Sequence, residues 1–209
     1  MEKEIEKFYL ENPSMERKKD VIEYMNEHVK YNSAINGTGS FDHVLEGETY
    51  EECMDRYYKI QDNEYAKSID RCPGKTYFLI RKNDNKLIGM INIRHHLSPK
   101  MLVHGGHIGY GIRPTERRKG YNKINLYLGL IKAYNEFGLD KVMLDCDVNN
   151  LGSDKTIKAL GGVLERCELD PSDSTLTNVY WIDTLDSIEK YKSVYEKYID
   201  SSKNMIKKR

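Results

Sequence analysis

Apolar residues in the middle of the chain follow the two-residue spacing of β-strands. Residues 77–80 and 87–93 are apolar runs on either side of residues 83–85, Asn-Asp-Asn, which favours a hairpin with its turn at those three residues. Residues 141–148 alternate apolar and charged side chains, as a half-buried strand does. The pattern predicts strands at residues 4–10, 77–80, 87–93, 107–112, 141–148, 163–168 and 177–183.

Helical spacing and helix-boundary residues account for much of the remaining chain. Thr49 and Glu52 form a capping box that opens one helix, and Gly138 is the left-handed residue expected after another. Apolar residues near the C-terminus recur every three or four positions, which predicts an amphipathic helix. The predicted helices cover residues 13–31, 49–60, 116–137, 152–160 and 185–202. Together with the strands they predict an α/β (α+β mixed) fold, a sheet flanked by helices.

The length of the chain is that of one domain with a single sizeable core. At 209 residues, one domain is the simplest interpretation. We predict a domain over residues 1–202, with an N-terminal helical part at 1–75, a core at 76–183 and a C-terminal helix at 185–202. Residues 203–209 are expected to form a disordered tail.

The charge balance narrows the class of partner. Lys plus Arg and Asp plus Glu both number 33, so the formal net charge is zero and no global positive surface for nucleic acid is expected. No apolar run approaches the ~20 residues that a membrane-spanning helix needs. The start of the chain, MEKEIEKF, lacks the apolar region of a signal peptide. We expect a cytoplasmic protein that binds neither nucleic acid nor a membrane.

Cysteine and histidine spacing gives no metal or disulfide pattern. The cysteines are too widely spaced for a zinc ribbon or a redox pair, and we expect reduced thiols at Cys53, Cys72, Cys146 and Cys167. Four histidines lie at irregular spacing across two predicted strands, namely His95, His96, His104 and His107. Structural or solvent-facing histidines explain that spacing better than a metal site, so no metal is predicted.

The segment 106–122 combines a glycine-bearing strand, a turn and a basic entry into the longest predicted helix. The first turn of a helix has backbone N–H groups without intrahelical partners, and it is the positive end of the helix dipole. Arg117, Arg118 and Lys119 add cations there, which the dipole disfavours unless an anion lies opposite them. Gly120 lets the backbone come close to such an anion. The segment therefore predicts a phosphate site.

Residues at the start of this helix and after its end resemble the motif of a known family, and this resemblance indicates which anion is bound. The residues concerned are Arg117, Gly120, Asn150, Ser153 and the pair Gly161-Gly162. In this order they resemble the acetyl-coenzyme A signature of the GCN5-related N-acetyltransferases (GNAT). The family's pyrophosphate loop has Gln or Arg, two residues, Gly, one residue, then Gly or Ala, and Asn122 stands here at the last position. The resemblance covers residues 76–183 and is greatest to an uncharacterised bacterial branch that has runs similar to GGHIGYGIRP and ERRKGY.

The resemblance implies a fold and a set of cofactor contacts. The sheet would be twisted and mostly antiparallel, with the strands at 107–112 and 141–147 parallel and splaying apart around the pantetheine arm. Acetyl-CoA would be the co-substrate, without a metal. The glycines of the strand would thin the side-chain layer beside the ligand. The implied cofactor-binding residues are Tyr110, Gly111 and Ile112 for the arm, Arg117, Arg118, Lys119, Gly120, Tyr121 and Asn122 for the pyrophosphate, and Asn150 and Ser153. Asn150 and Ser153 could equally be only a turn and a helix cap.

Catalytic groups are less completely specified. His107 is the first candidate for general base, because it heads the strand where several related enzymes carry Glu and imidazole has a reference pKa of about 6.5. His95 and His96 are the next candidates. Ile157 occupies the position where the family often has a Tyr as general acid. The remaining acids that could protonate the leaving thiolate are Tyr110 and Cys146.

Two functions follow from this resemblance. The first is an N-acetyltransferase that moves acetyl from acetyl-CoA to a primary amine of a small molecule or peptide by direct attack in a ternary complex. The alternative, suggested by Ile157, is a non-catalytic or weakly catalytic acyl-CoA-binding regulatory module.

The acceptor would be chosen by segments 32–49 and 96–106. Carboxylates that would suit a cationic amine, if they face the cleft, are Asp42, Glu46, Glu48 and Asp147. The aromatic face of the predicted C-terminal helix could pack against the core of the same chain or against a second copy of the chain in a homodimer.

Overall fold

Two antiparallel sheets lie at the centre of the computed structural model, which describes residues 5–170 and 174–203. The first sheet has the order β1-β2-β3-β4 and the second β5-β7-β6. The strands are β1 (Phe8–Glu11), β2 (Gly74–Arg81), β3 (Lys86–Arg94), β4 (Ile108–Ile112), β5 (Lys141–Asp147), β6 (Val163–Leu169) and β7 (Leu176–Asp183). Each predicted strand has a counterpart; β1 begins at Phe8, and residue 4 of its predicted range lies outside the described residues.

Helices flank both sheets. They are α1 (Lys18–Lys30), α2 (Tyr50–Lys59), α3 (Asn63–Ser68), α4 (Pro99–Val103), α5 (Tyr121–Phe137), α6 (Leu151–Ala159) and α7 (Thr184–Tyr195). Short 3-10 helices occur at Met15–Arg17, Phe41–Glu46, Pro114–Glu116 and Glu196–Tyr198. Among the described residues no helix is long and apolar enough to cross a membrane.

Several predicted helix boundaries were right and others were wrong. The capping box at Thr49 and the left-handed Gly138, with a φ of 66°, are both present. The longest helix begins at Tyr121 rather than near residue 116, because Pro114–Glu116 forms a separate 3-10 helix. The two shortest helices, α3 and α4, were not predicted. Each has a side-chain N-cap, Asp62 and Ser98 respectively.

The C-terminal helix ends earlier than predicted, because the chain turns back to the first sheet. After α7 and the last 3-10 helix, Ile199 forms a parallel bridge with Phe8, and the Asp200 N–H donates to the Phe8 carbonyl at 2.9 Å. Within α7, the carbonyl of Ile188 accepts a hydrogen bond from the hydroxyl of Tyr127 on α5 at 3.0 Å. Of the tail predicted to be disordered, residue 203 lies in a turn and residues 204–209 lie outside the described residues.

The core has two layers because β2 and β3 are buried on both faces. Tyr77 and Leu79 pack towards α5, whereas Phe78 and Ile80 pack towards α1 and α2. This alternation gives the continuous apolar runs seen in the sequence, as expected for a strand covered on each side. The first sheet is thus held between two helical layers.

The two sheets meet at one point, between β4 and β5. The backbone N–H of His107 donates to the Met143 carbonyl at 2.7 Å, and the Met143 N–H donates to His107 Nδ1 at 2.9 Å. Within the described part of the chain, β4 and β5 share no continuous ladder, and they belong to different sheets. The predicted splay between these two strands is therefore present. We call the gap between β4 and β5 the wedge. The His107–Met143 contact, where the two strands meet, is its vertex.

Candidate functional site

The free edge of β4 faces the wedge. At the ends of the β3–β4 ladder, the Arg94 N–H donates to the His107 carbonyl and the Arg113 N–H donates to the Ile88 carbonyl. Main-chain groups of successive residues point to opposite sides of a strand. The odd-numbered residues thus face β3, and the main-chain groups that face the wedge are those of Ile108, Tyr110 and Ile112. Gly111, predicted to contact the pantetheine arm, directs its main-chain groups to β3 instead.

The glycines of β4 accommodate a loop of the chain itself. A Cβ on Gly111 would lie 2.7 Å from the Asn36 carbonyl oxygen, and a Cβ on Gly37 would lie 2.4 Å from Tyr110 Cα. The predicted role of these glycines, thinning the layer beside a ligand, is therefore wrong on this face of the sheet. The small side chains let the 36–37 loop pack directly on β4.

The turn between β4 and α5 leaves a run of donors exposed. Arg118 and Gly120 have left-handed φ values of 65° and 84°, and Gly120 is the N-cap of α5. Among the described residues, the backbone N–H groups of residues 118–122 have no hydrogen-bond acceptor. A Cβ on Gly120 would meet nothing within 4 Å. The loop thus has the donors and the open space that an anion at a helix N-terminus requires.

Two of the three cations predicted in this loop are held by protein groups. Arg117 Nε donates to the Ile112 carbonyl at 3.0 Å, and its Nη2 donates to Ser33 Oγ at 2.6 Å. Lys119 donates to Glu116 at 2.8 Å. Arg118 is exposed and makes no ion pair within the described residues. The side chain of Arg117 therefore fixes the loop, and the main-chain N–H groups are the donors left available for an anion.

Glu116 anchors the loop to the first sheet. Its side chain is buried and makes ion pairs with Arg81, Lys86 and Lys119 at 2.8 to 3.1 Å. Burial alone would raise the pKa of Glu116, but hydrogen bonds from Lys119, Lys86 and Arg81 outweigh it and lower this pKa to about 2. The carboxylate is thus charged at neutral pH, and it holds the residues just before the predicted pyrophosphate loop.

The last two residues of the predicted loop are partly buried. The hydroxyl of Tyr121 donates to Glu6, and its ring packs against Phe8 at 4.8 Å. Asn122 Oδ1 is buried without a hydrogen-bond partner in the described part of the chain. Asn122, which stands where the family usually has Gly or Ala, is the second residue of α5.

The helix α6 begins opposite β4, across the wedge. Asn150 is its N-cap and accepts the Ser153 N–H at 3.1 Å, so its side-chain oxygen serves the helix. Ser153 Oγ lies 2.8 Å from the Tyr110 hydroxyl oxygen. The side chain of Tyr110 therefore connects β4 to α6, a contact that sequence spacing did not predict.

His107 is poorly suited to the role of general base. Its Nδ1 accepts the Met143 N–H, so in the neutral ring the proton is on Nε2 and neither nitrogen is a free acceptor. Burial, assisted by the positive charge of Arg94, lowers the pKa of His107 to about 4. The geometry makes His107 a structural residue that joins the two sheets. Of the other candidates, His95 packs against Phe137 with ring centroids 4.1 Å apart, and His96 is exposed.

The candidate acids remain protonated. Burial raises the pKa of Tyr110, against the opposing effect of its hydrogen bond with Ser153. Burial likewise raises the pKa of the Cys146 thiol to about 11. Ile157, at the position of the family's usual Tyr, is fully buried, and its side chain lies against Gly162. A hydroxyl at that position would lie in the core.

Three of the four carboxylates predicted to suit a cationic amine are engaged by neighbouring groups, and the fourth, Glu46, is largely exposed. Asp42 accepts the Thr38 hydroxyl, and Glu48 is paired with Arg56. Asp147 accepts the Asn149 N–H at 2.7 Å. A different acidic cluster, missed in the sequence, surrounds His104 next to the vertex. Its members come from three separate segments, so no local spacing could have identified it: Asp145, Glu168 and Asp170.

No metal site accompanies these groups. Within residues 5–170 and 174–203, no group of three or more His, Cys, Asp or Glu side chains has the geometry to hold a metal ion. All four cysteines are free.

Comparison with protein families matches residues 15–163 to the Acetyltransferase (GNAT) domain. No curated protein sequence gives a significant match. Among solved structures, RimL, a ribosomal alpha-N-protein acetyltransferase in complex with coenzyme A, is 16% identical with a TM-score of 0.58, covering 85% of this chain and 96% of its own. The spermidine N-acetyltransferase from Vibrio cholerae, in complex with CoA and spermine, is 14% identical with a TM-score of 0.57, covering 86% and 98%. The microcin self-immunity acetyltransferase MccE, in complex with acetyl-CoA and AMP, is 17% identical with a TM-score of 0.58, covering 84% and 91%.

Proposed function

Because the chain belongs to the GNAT acetyltransferase family, we propose that it moves an acetyl group from acetyl-CoA to a primary amine of a small molecule or peptide. Both substrates would be bound together, and the amine would attack the thioester directly. Fold relatives that use CoA or acetyl-CoA, with spermidine or a ribosomal protein as acceptor, support the acyl donor and the amine class.

The observation that carries this proposal is the wedge with its free edge on β4. The main-chain groups of Ile108 and Tyr110 and the N–H of Ile112 face it, in the alternation of an edge that accepts another strand, whereas the Ile112 carbonyl accepts from Arg117. The amide groups of pantetheine would continue that ladder. One end of the same strand leads into the exposed N–H groups of residues 118–122, where the pyrophosphate would bind.

In the reaction, the amine nitrogen attacks the thioester carbonyl carbon, and the carbon–sulfur bond breaks. Coenzyme A leaves as a thiolate that takes up a proton, while the nitrogen of the new amide loses one. A backbone N–H facing the wedge is the donor for the developing oxyanion. His107 takes no part in proton transfer, since its acceptor nitrogen is engaged by Met143. The amine enters in its neutral form and its proton passes to water.

Tyr110 is the side chain best placed to assist the leaving thiolate. It stands on the strand that takes the arm, and Ser153 holds its hydroxyl. Because a thiol has a reference pKa of about 8.5, the thiolate is a tolerable leaving group near neutral pH. The phenol therefore contributes a hydrogen bond rather than an indispensable proton, and a core residue at Ile157 is compatible with turnover.

Calorimetric titration with acetyl-CoA tests the pyrophosphate loop, and Gly47 provides a matched control for Gly120. Both glycines have left-handed φ values, 99° and 84°, and a Cβ on either would meet nothing within 4 Å. The backbone strain of a side chain is thus similar at the two positions. We expect Gly120→Glu to weaken acetyl-CoA binding by about tenfold or more, since a carboxylate would face the phosphates. Gly47→Glu should bind like the wild type.

The outcomes separate the possible functions. Equal affinity in folded Gly120→Glu and wild-type protein would contradict the assigned pyrophosphate loop. Selective binding of acetyl-CoA together with thiol release in the presence of an amine would establish the enzyme. Binding without turnover across an amine panel would favour the regulatory module that Ile157 suggested.

A further inference from the structure

A carboxylate from α1 holds the turn that precedes the predicted pyrophosphate loop. Glu27 Oε1 accepts both the backbone N–H and the hydroxyl of Thr115, each at 2.8 Å. The other oxygen of the same carboxylate, Oε2, lies 3.3 Å from Arg113 Nη1. Glu27 therefore contacts two residues of the turn between β4 and α5.

This contact supplies a helix cap that the turn lacks locally. The 3-10 helix Pro114–Glu116 begins with proline, which has no N–H, and its N-cap residue Arg113 makes no side-chain hydrogen bond to it. The Thr115 N–H is thus the first donor of this helix, at a position without an intrahelical partner. Because the acceptor of this N–H comes from α1, the turn is tied to that helix.

The pairing with Arg113 is largely buried. The side chains of Arg113 and Glu27 are 4% and 15% exposed, and the Arg113 guanidinium lies 5.8 Å from the centroid of the Tyr24 ring. Among the described residues, Glu27 is the one carboxylate that pairs with Arg113. A buried cation needs such a partner, so Glu27 and Arg113 fix each other's position.

The end of α1 is itself firmly packed and contacts the turn a second time. Tyr24 and His28 are fully buried, with ring centroids 4.7 Å apart. The Ser33 N–H, just beyond the helix, donates to the His28 carbonyl at 3.0 Å. Ser33 Oγ in turn accepts the bond from Arg117 at 2.6 Å. A rigid element therefore carries both contacts to the turn.

The donors available for an anion directly follow this turn. The backbone N–H groups of residues 118–122 have no acceptor within the part of the chain that the structure describes, and Arg118 has a left-handed φ of 65°. Such donors converge on one place only while the preceding turn keeps its shape, and a site that is already in shape binds its ligand at lower cost. Glu116 holds the turn from the side of the first sheet, and Glu27 holds it from the side of α1.

Resting on the proposed function, we infer that Glu27 is a positioning residue for the pyrophosphate of acetyl-CoA. It acts through Thr115 and Arg113, which fix the direction of the N–H groups of residues 118–122. The charge of Glu27 opposes this effect, because a carboxylate near an anion site repels the anion. A loss of acetyl-CoA affinity on removal of Glu27 therefore reports the positioning and not the charge.

The variants Glu27→Ala and Glu27→Gln separate the two effects. Both remove the charge, but the amide oxygen of Gln can still accept the Thr115 N–H. We would measure acetyl-CoA affinity by calorimetric titration, and kcat and KM by thiol release. Glu27→Ala should bind acetyl-CoA about tenfold more weakly than Glu27→Gln, with a higher KM and an unchanged kcat. S-acetylpantetheine has the arm but no pyrophosphate, so its kcat/KM should be equal in the two variants.

Two further variants complete the comparison. Glu23→Ala is the control: Glu23 lies one turn earlier on α1, is exposed and makes no ion pair within the described residues, so this variant should follow the wild type. Glu27→Asp keeps the charge, but the shorter side chain cannot reach Thr115 and Arg113 together. It should bind acetyl-CoA about threefold more weakly than the wild type, and it decides the question if Glu27→Ala does not fold.

The outcomes distinguish this inference from the proposed function. Equal acetyl-CoA affinity in Glu27→Ala and Glu27→Gln, wild-type affinity in Glu27→Asp, or an equal loss with S-acetylpantetheine would overturn the positioning role and leave the acetyltransferase intact. A wild-type protein that binds no acetyl-CoA would instead overturn the proposed function and, with it, this inference.

Discussion

Replacing Glu116 with Gln should destabilise the protein in a way that depends on pH. The hydrogen bonds from three cations hold the pKa of Glu116 at about 2 in the folded state, against an ordinary value of 4.5 for a Glu side chain. That difference corresponds to about 3 kcal/mol of stability at neutral pH, at 1.36 kcal/mol per unit. Because the side chain is only 6% exposed, solvent screening reduces this figure little.

The sign follows from the depressed pKa. A carboxylate whose folded pKa lies below its unfolded value contributes its full stabilisation above the unfolded pKa, here about 4.5, and loses it as the pH falls towards 2. Wild type should therefore lose about 1 kcal/mol of this contribution by pH 4 and about 2 kcal/mol by pH 3. The Gln variant lacks this carboxylate, so its stability has no such dependence on pH. The difference in unfolding free energy between wild type and the variant should therefore shrink as the pH falls to 3.

Urea denaturation at pH 7, 4 and 3 measures both quantities. Glu189→Gln on α7 is the control, since Glu189 is exposed and makes no ion pair within the described residues. It should follow the wild type at each pH. A Glu116→Gln deficit that is the same at pH 7 and pH 3 would refute the assignment of this stability to the ion-pair cluster.

Further substitutions test the other structural assignments. His107→Ala should cost about 1–3 kcal/mol of stability by leaving the Met143 N–H without its acceptor, measured by urea denaturation, while the shape of the pH–rate profile stays unchanged. Loss of the acidic limb of that profile would restore His107 as the base. Tyr110→Phe should lower kcat by up to about tenfold with little change in acetyl-CoA affinity, and wild-type kcat would exclude the phenol. Gly106→Ala should destabilise by about 1–3 kcal/mol, because its Cβ clashes with the Met143 carbonyl, and an unchanged melting temperature would contradict that contact. Thr49→Ala should cost about 1 kcal/mol through the lost helix cap without affecting acetyl-CoA titration, and unaltered stability would contradict the capping box.

Features set by near neighbours in sequence were predictable. The capping box at Thr49 and the left-handed residue at Gly138 each involve only adjacent turns of chain, and both are present. Strand positions were also recovered, because β2 and β3 are covered on both faces and therefore appear as continuous apolar runs. The GNAT fold followed from the motif residues after the strand at 107–112.

Features set by distant contacts were not predictable. The start of α5 was misplaced because Glu116 is held by Arg81 and Lys86, some thirty residues earlier. His107 appeared to be a base, since nothing near it in sequence reveals that Met143 would occupy its nitrogen. The cluster around His104 likewise assembles only when β7 pairs with both β5 and β6 and brings them into one sheet. In each case, the partner that decides the role of the residue comes from another part of the chain.

The return of the C-terminal segment to the first sheet changes the mechanics of the wedge. After β7 of the second sheet, the chain crosses α5 and ends in a bridge between Ile199 and Phe8, on the outermost strand of the first sheet. The two sheets are therefore linked at the vertex and again by the segment that runs from β7, the middle strand of the second sheet, to β1, the outermost strand of the first. Together they form a closed ring rather than a hinge. In a closed ring the angle between the sheets cannot widen unless a second link lengthens or breaks. The separation of β4 and β5 is thus constrained in part by a C-terminal segment that packs on the opposite edge of the first sheet.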